Sequence, residues 1–176
     1  MDTNSLVKKT QLLISGTPGC GKSTFGRWLV EKKQFTHVDM ENRGLEKHGF
    51  RSSWDKFCDG NDTESFIAAI RACHSSIVLD WGFPPSSFHL VQRLNKAGVG
   101  MFWFEGDRLA TRDNFIQRGT GSVSSFDSQW AQISAHWADI KTLFSNSIIK
   151  TVHTDGSRLS PDAIFMQVFK GLNAIT

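Results

Sequence analysis

The sequence has few of the features that characterise secreted, membrane-bound or metal-scaffolded proteins. Its 176 residues include three cysteines, Cys20, Cys58 and Cys73, an odd number without the spacing of metal ligands. This usage fits a reducing compartment better than a disulfide framework. Residues 1–9 lack an apolar signal core, and no stretch approaches the length needed to span a membrane. We therefore expect a cytoplasmic protein without a membrane partner.

Charge of one sign, repeats and tyrosine are also scarce. The formal net charge is only +3, from 20 Lys and Arg against 17 Asp and Glu, and no basic run dominates. That balance does not by itself argue for nucleic acid, but it is compatible with an anionic substrate. No internal repeat, linker or low-complexity tract is present, so the length predicts one domain over residues 1–176. The 14 Phe and six Trp alongside no Tyr have no explanation in the sequence.

What the chain does contain is a complete phosphate-binding motif, G-x-x-x-x-G-K-[ST], at residues 16–23. In this motif consecutive backbone N–H groups surround a phosphate chain, the lysine (Lys22) reaches the outer phosphates, and the hydroxyl (Ser23) ligates Mg²⁺. A short apolar run precedes the motif and a helical pattern follows it, which is the setting that the motif requires. The alternative is a chance glycine-rich turn with a surface lysine. The predicted nucleotide-binding residues are Gly16, Thr17, Pro18, Gly19, Cys20, Gly21, Lys22, Ser23 and Thr24.

Apolar runs and helical stretches alternate along the chain, which predicts an α/β fold with a three-layer, doubly wound parallel sheet. Strands are predicted at residues 11–15, 35–40, 76–81, 99–104 and 147–153. Helices are predicted at residues 22–33, 63–74, 86–97, 107–118, 127–144 and 160–171. Two segments interrupt the alternation: a mixed stretch after the second strand and a Gly/Ser/Thr-rich stretch that joins two helices. Long excursions of this kind are usually functional or mobile.

Acidic residues follow the second and third predicted strands. Ligands of open parallel sheets bind beyond the C-terminal strand ends, so these residues are candidates for a site. Asp80 ends an apolar strand, where a carboxylate can hold Mg²⁺ or its waters. Asp39 lies at the neighbouring strand end, where it can accept a proton from an acceptor hydroxyl, and Glu41 is an alternative for that role. For each acid, the competing interpretation is the cap of a nearby helix N-terminus.

Two arginines lie on or just after the predicted helix at 107–118, beside the Gly/Ser/Thr-rich stretch. Arg112 and Arg118 on a mobile cover would add positive charge to a phosphoryl-transfer transition state and exclude water. The competing interpretation is that both arginines lie on a solvated helix face. We assign both, together with Lys22 and Asp39, as predicted catalytic residues.

Together these residues resemble the small P-loop kinases of the nucleoside/nucleotide-kinase superfamily, which includes adenylate, shikimate and gluconate kinases. Residues 80–84 (Asp-Trp-Gly-Phe-Pro) look like the Asp-Gly-Phe-Pro strand end of adenylate kinases, with Trp81 intervening. The resemblance implies a P-loop NTPase fold with five parallel strands in the order 2-3-1-4-5. It also implies ATP and Mg²⁺ as cofactors, an acceptor-binding excursion at 41–62, a lid at 118–126, and a loop at 153–158 where Arg158 stacks on the base.

The acceptor is expected to contact Asp39, Arg43, Arg51 and Trp54. An acid with an arginine four residues later is similar to polynucleotide 5′-hydroxyl kinases, in which an arginine holds the neighbouring phosphate. Trp54 could stack on a ring, or it could be a core residue beneath the excursion. The favoured function is an ATP-dependent kinase acting on a small-molecule hydroxyl. The alternatives are a nucleic-acid 5′-hydroxyl kinase and a nucleotide-dependent ATPase or switch without an acceptor. No pattern in the sequence predicts an oligomeric state.

Overall fold

Five parallel strands form the centre of the protein, in the predicted order. The structure is a computed structural model that describes residues 9–60, 62–119 and 121–173. Its strands are β1 (Gln11–Gly16), β2 (Thr36–Asp39), β3 (Ile77–Asp80), β4 (Gly100–Gly106) and β5 (Ile148–Val152). They are arranged as β2-β3-β1-β4-β5, so the predicted sheet is confirmed. Because these strands are parallel neighbours, the C-terminal ends of β1, β2 and β3 lie side by side at the same end of the sheet.

Helices cover both faces of the sheet. They are α1 (Lys22–Lys33), α2 (Gly44–Lys47), α3 (Arg51–Cys58), α4 (Thr63–Arg71), α5 (Phe88–Lys96), α6 (Arg108–Gln117), α7 (Val123–Ala135), α8 (Trp137–Phe144) and α9 (Pro161–Asn173). Side-chain caps begin several of them: Asp107 Oδ1 accepts the N–H groups of Leu109 and Ala110, and Asp62 accepts the N–H of Ser65. No helix in the described ranges is long and apolar enough to cross a membrane.

The core has two parts because successive strand residues point to opposite faces of the sheet. On one face Leu13 and Leu79 are fully buried with residues of α3, α4, α5 and α8. On the other, Ile14 and Phe102 pack with α1 and α9. A sheet covered on both faces needs apolar residues at consecutive strand positions, and this requirement made the strands recognisable in the sequence.

The excursion at 41–62 is more regular than its composition suggested, because it contains α2 and α3. Leu45, Phe50, Trp54 and Phe57 are all buried, and their spacing places an apolar surface against β3 and α4. This burial orders the segment. Residue 61 of the excursion lies outside the described residues.

The predicted helix at 127–144 is two helices, and the first of them begins within the predicted lid. The Ser122 hydroxyl accepts the N–H of Ser125 and begins α7 there, while α8 begins after His136. Arg108 pairs with Asp127 at 2.9 Å and so ties α6 to α7. The irregular connection is therefore shorter than the predicted lid at 118–126, of which residue 120 lies outside the described residues.

Candidate active site

The phosphate-binding loop between β1 and α1 is held by backbone contacts from neighbouring elements. The N–H of Thr17 donates to the carbonyl of Phe104 on β4 at 3.0 Å, and the buried Thr151 hydroxyl on β5 donates to the carbonyl of Cys20 at 2.7 Å. Gly19 has a φ of +80°, and a Cβ there would lie 2.0 Å from the carbonyl oxygen of Thr111. Both its backbone conformation and its close approach to α6 therefore require glycine.

Gly19→Ala is expected to destabilise the protein by more than the roughly 1–2 kcal/mol that a positive φ alone costs an alanine. The reason is that the new Cβ must displace backbone of α6 as well as adopt a strained φ. Gly60→Ala is the matched control, because Gly60 has a φ of +78° and a Cβ there would have nothing within 4 Å. Urea unfolding of both variants measures the difference, and equal losses of unfolding free energy would show that the contact with α6 is unimportant.

Lys22 and Ser23 begin α1 at the edge of the loop. The Lys22 ammonium Nζ lies 3.3 Å from the carbonyl oxygen of Gly16 and 3.4 Å from that of Thr17. It is therefore folded over the glycine turn, on the side where the motif places the outer phosphates. The positive N-terminal end of α1 adds to this field.

Asp80 is a buried carboxylate at the end of β3, with 4% of its surface exposed. Its Oδ2 lies 3.3 Å from His37 Nε2 on β2. Gly26 of α1 makes room for that ring, because a Cβ there would lie 2.5 Å from His37 Nε2. Burial alone would raise the pKa of Asp80, but the His37 hydrogen bond, the charge of Lys22 and the Ser23 hydroxyl together hold that pKa below its ordinary value of 3.8. Asp80 is therefore ionised at neutral pH.

The lowered pKa of Asp80 predicts a particular loss of stability in acid. A carboxyl whose pKa is lower in the folded state stabilises the fold above its unfolded value of 3.8, and this contribution is lost as pH falls through the folded pKa. The free energy of unfolding of the wild type should consequently fall more steeply below pH 3.8 than that of Asp80→Asn. Urea titrations at several pH values test this, with Asp113→Asn, which changes an exposed carboxylate on α6, as the control. Parallel pH profiles for wild type and Asp80→Asn would contradict it.

The donor set formed by Ser23 and Asp80 fits Mg²⁺. A hydroxyl and an ionised carboxylate are the hard oxygen ligands that this ion prefers, and it commonly takes one or two carboxylates with the rest from phosphates and water. In the described ranges no group of three or more His, Cys, Asp or Glu side chains could hold a metal by itself. One carboxylate and one hydroxyl suit an ion whose remaining ligands are phosphate oxygens and water.

Asp39 lies directly beside Asp80, since the two are register partners at the ends of β2 and β3. Its Oδ1 accepts the N–H groups of Glu41 and Asn42 at 3.1 and 3.0 Å, and its Oδ2 accepts the Asn42 side-chain amide at 2.9 Å. Glu41 Oε1 accepts the N–H of Gly82 at 2.9 Å. Asp39 thus caps a turn, much as the competing interpretation of its sequence position proposed, while its half-buried side chain also faces the cleft described next.

A cleft of about 970 Å³ joins the phosphate-binding loop to these carboxylates. Among the predicted site residues, it is lined by Gly16, Pro18, Gly19, Lys22, Ser23, Asp39, Asp80 and Arg118. The structure therefore brings the loop, both strand-end acids and one lid arginine to a single space.

Other predicted site residues lie away from the cleft. Trp54 is only 8% exposed and packs edge-to-face on Trp81 at 5.1 Å, so the expectation that it stacks on an acceptor ring is corrected: it is a core residue. Arg51 pairs with Glu46 and Asp55 on the surface. The remaining arginines (Arg43, Arg112 and Arg158) do not line the cleft.

The cleft also contains residues that the sequence did not single out. Arg27 lies one helical turn after Ser23 on α1 and faces the same space. Phe83, Phe88 and Trp103 line it with aromatic rings, and Gln129 and Gln132 of α7 also line it. The spacing of Ser23 and Arg27 was a signal available in the sequence. The aromatic wall was not, because its members come from three separate elements.

Comparison with solved structures identifies the fold. The chain matches shikimate kinase from Bacteroides thetaiotaomicron with a TM-score of 0.53 and 11% identity, over 94% of this chain and 98% of that one. The fold of this chain is that of the small P-loop kinases. A gluconokinase from Sinorhizobium meliloti 1021 is also similar, with a TM-score of 0.49 and 15% identity over 95% of this chain and 93% of that one. The sequence itself matches no protein-family model and no curated protein.

Proposed function

We propose that this protein is an ATP-dependent phosphotransferase that moves the γ-phosphoryl group to a hydroxyl of a small molecule. The observation that carries the proposal is the shared cleft, in which the phosphate-binding loop and the Asp39 carboxylate face the same space. Phosphoryl transfer needs few protein groups: positive charge around the migrating group, a metal clamp and a positioned acceptor. Each of these has a candidate among the cleft residues.

The proposed roles follow from the positions of the side chains. The backbone N–H groups of the loop and the Lys22 ammonium bind the phosphates. Ser23 and Asp80 would hold Mg²⁺, which would neutralise charge on the phosphate oxygens. Asp39 accepts the proton of the acceptor hydroxyl as its oxygen forms a bond to the γ-phosphorus. The bond between that phosphorus and the oxygen of the departing ADP breaks, and Arg118 stabilises the charge that develops.

The two alternative functions have less support. The similarity to 5′-hydroxyl kinases rests on Arg43, which was expected to hold the phosphate beside the 5′ end, but Arg43 does not line the cleft. Trp54, which could stack on a base, is buried. An ATPase or switch without an acceptor gives no role to the large space beyond the loop.

The transfer of label from γ-labelled ATP tests the proposal directly. The protein is incubated with this ATP, Mg²⁺ and pooled hydroxyl compounds, and the products are separated. We expect label in an organic phosphate that requires both the protein and the pool. Label that appears only as inorganic phosphate, at a rate unchanged by the acceptors, would support the ATPase alternative. A labelled oligonucleotide 5′ end, tested in parallel, would support the nucleic-acid alternative.

A further inference from the structure

One wall of the cleft is aromatic and apolar. Phe83 follows β3, and its ring centroid lies 5.4 Å from that of Phe88 on α5 and 6.3 Å from that of Trp103 on β4. Phe83 and Phe88 are half-buried, so each presents part of its ring to the cleft. The rest of this wall, which together with these three rings we call the aromatic end, comprises Pro84, Pro85, Ile133 and Ile140. A surface of this kind binds flat or apolar groups better than it binds a fully hydrated sugar.

Trp103 adds an unused hydrogen-bond donor to the aromatic end. It is 3% exposed, and its indole Nε1 has no partner in the described ranges. A buried N–H without a partner costs free energy and is rare in folded proteins, so it calls for an explanation. Trp103 is the register partner of Ser15, directly beside the phosphate-binding loop, and it lines the cleft. An acceptor oxygen of a ligand at this wall would satisfy the indole N–H.

The charged side chains of the cleft lie outside the aromatic end, and Glu41 comes nearest to it in the chain contacts, because it accepts the N–H of Gly82, the residue before Phe83. In the described part of the chain, the charged residues that line the cleft are Lys22, Arg27, Arg118, Asp39, Glu41 and Asp80. Lys22 and Arg27 are on α1, the helix that begins at the phosphate loop. A nucleoside triphosphate carries enough negative charge to pair with these two cations and with Arg118. The three carboxylates would repel an anionic acceptor. No cation among the described lining residues comes from the elements of the aromatic end.

From this arrangement we infer that the acceptor is an uncharged hydroxyl compound with a flat or aromatic part, which packs on Phe83, Phe88 and Trp103 and accepts a hydrogen bond from the Trp103 indole. The same arrangement disfavours sugar acids and phosphorylated acceptors once a nucleotide occupies the cations. The inference rests on the proposed function, whose acceptor class it specifies.

Four glucose-derived probes separate the two properties, ring and charge. Phenyl β-D-glucoside has an aromatic ring and no charge, phenyl β-D-glucuronide has both, gluconate has only the charge, and glucose has neither. Calorimetric titration measures the binding of each to the purified protein, independently of any transfer of phosphate. We expect the phenyl glucoside to bind roughly ten-fold or more tightly than the other three, because burial of the ring is favourable and the three cleft carboxylates disfavour an anion.

Two variants then locate the binding site. Trp103→Phe keeps a ring but removes the N–H, and it should weaken binding of the phenyl glucoside by about five-fold without changing the affinity for ATP. Phe88→Leu keeps an apolar side chain but removes a ring, and it should weaken the same probe. The matched controls are Trp28→Phe and Phe165→Leu, which change half-buried aromatic side chains outside the cleft. Thermal unfolding verifies that each variant is folded. If Trp103→Phe does not fold, Phe88→Leu alone tests the location of the binding site.

The outcomes distinguish this inference from the proposed function. Tighter binding of gluconate or the glucuronide than of the phenyl glucoside overturns the inference, and so does the absence of phenyl glucoside binding at millimolar concentration. Unchanged affinity in both cleft variants also overturns it. If label from ATP nevertheless reaches an organic product, the proposed function still holds. If the phenyl glucoside binds at the aromatic end but label from ATP is released only as inorganic phosphate, the binding site is supported and the proposed kinase activity is contradicted.

Discussion

Replacement of Lys22 by methionine is expected to lower kcat for phosphoryl transfer by on the order of a thousand-fold while the protein remains folded. The Lys22 ammonium lies over the glycine turn, 3.3 and 3.4 Å from two loop carbonyls, on the side where the motif places the outer phosphates. Methionine keeps an unbranched stem of similar length but supplies no charge. The loss should appear mainly in kcat, because the charge acts most strongly on the transition state.

Lys32→Met is the matched control for this substitution. Lys32 lies in the last turn of the same helix, is exposed, and does not line the cleft. Circular dichroism and thermal unfolding should be similar for both variants, whereas only Lys22→Met should lose activity. A Lys22→Met enzyme that retains wild-type kcat would remove the phosphate loop from the proposed mechanism.

Asp39→Asn is expected to lower kcat by about a hundred- to ten-thousand-fold, with little change in the KM for ATP. The amide oxygen of asparagine can still accept the N–H groups of Glu41 and Asn42 that Asp39 Oδ1 accepts, so these two bonds of the turn are retained and only the Asn42 side-chain amide loses its acceptor. The variant lacks a basic oxygen, however, and cannot take a proton from the acceptor. Steady-state kinetics with varied ATP and acceptor measures both quantities.

Glu41→Gln decides between the two candidate bases, and Asp59→Asn controls for the removal of an acid. Glu41 Oε1 accepts the N–H of Gly82, an arrangement that the glutamine oxygen can reproduce. Asp59 is exposed at the end of α3 and lies outside the cleft. Near-normal kcat for Glu41→Gln and Asp59→Asn would agree with Asp39 as the base. An active Asp39→Asn enzyme with an inactive Glu41→Gln enzyme would transfer the role to Glu41.

The sequence predicted those parts of the fold that are fixed by burial on two faces or by a local motif. Val78 and Leu79 are consecutive and both fully buried, which only a strand covered on both faces explains well. The predicted start of α1 was also right, because the motif that ends at Ser23 dictates where the helix begins. These signals are short in range, so one sequence is enough to recognise them.

The missed features depend on contacts between distant residues. α2 has only four residues, and the pattern of Leu45, Phe50 and Trp54 became interpretable only with β3 and α4 packed against it. The break at His136 between α7 and α8 had no Gly or Pro to mark it. In the sequence, Trp103 looks like any apolar residue of a buried strand. Its position beside the phosphate loop follows from its pairing with Ser15, which depends on the register of two separate strands.

Equilibrium binding of ATP is the measurement that tests the central claim most directly, that the glycine turn at residues 16–23 binds a nucleoside triphosphate. Calorimetric titrations compare ATP with and without Mg²⁺, and AMP with Mg²⁺, on wild type and Lys22→Met. We predict that ATP binds more tightly with Mg²⁺ than without it, that AMP binds far more weakly, and that Lys22→Met binds ATP less tightly than the wild type by a smaller factor than its loss of kcat. An absence of Mg²⁺-assisted affinity for ATP in the folded wild-type protein would contradict the account.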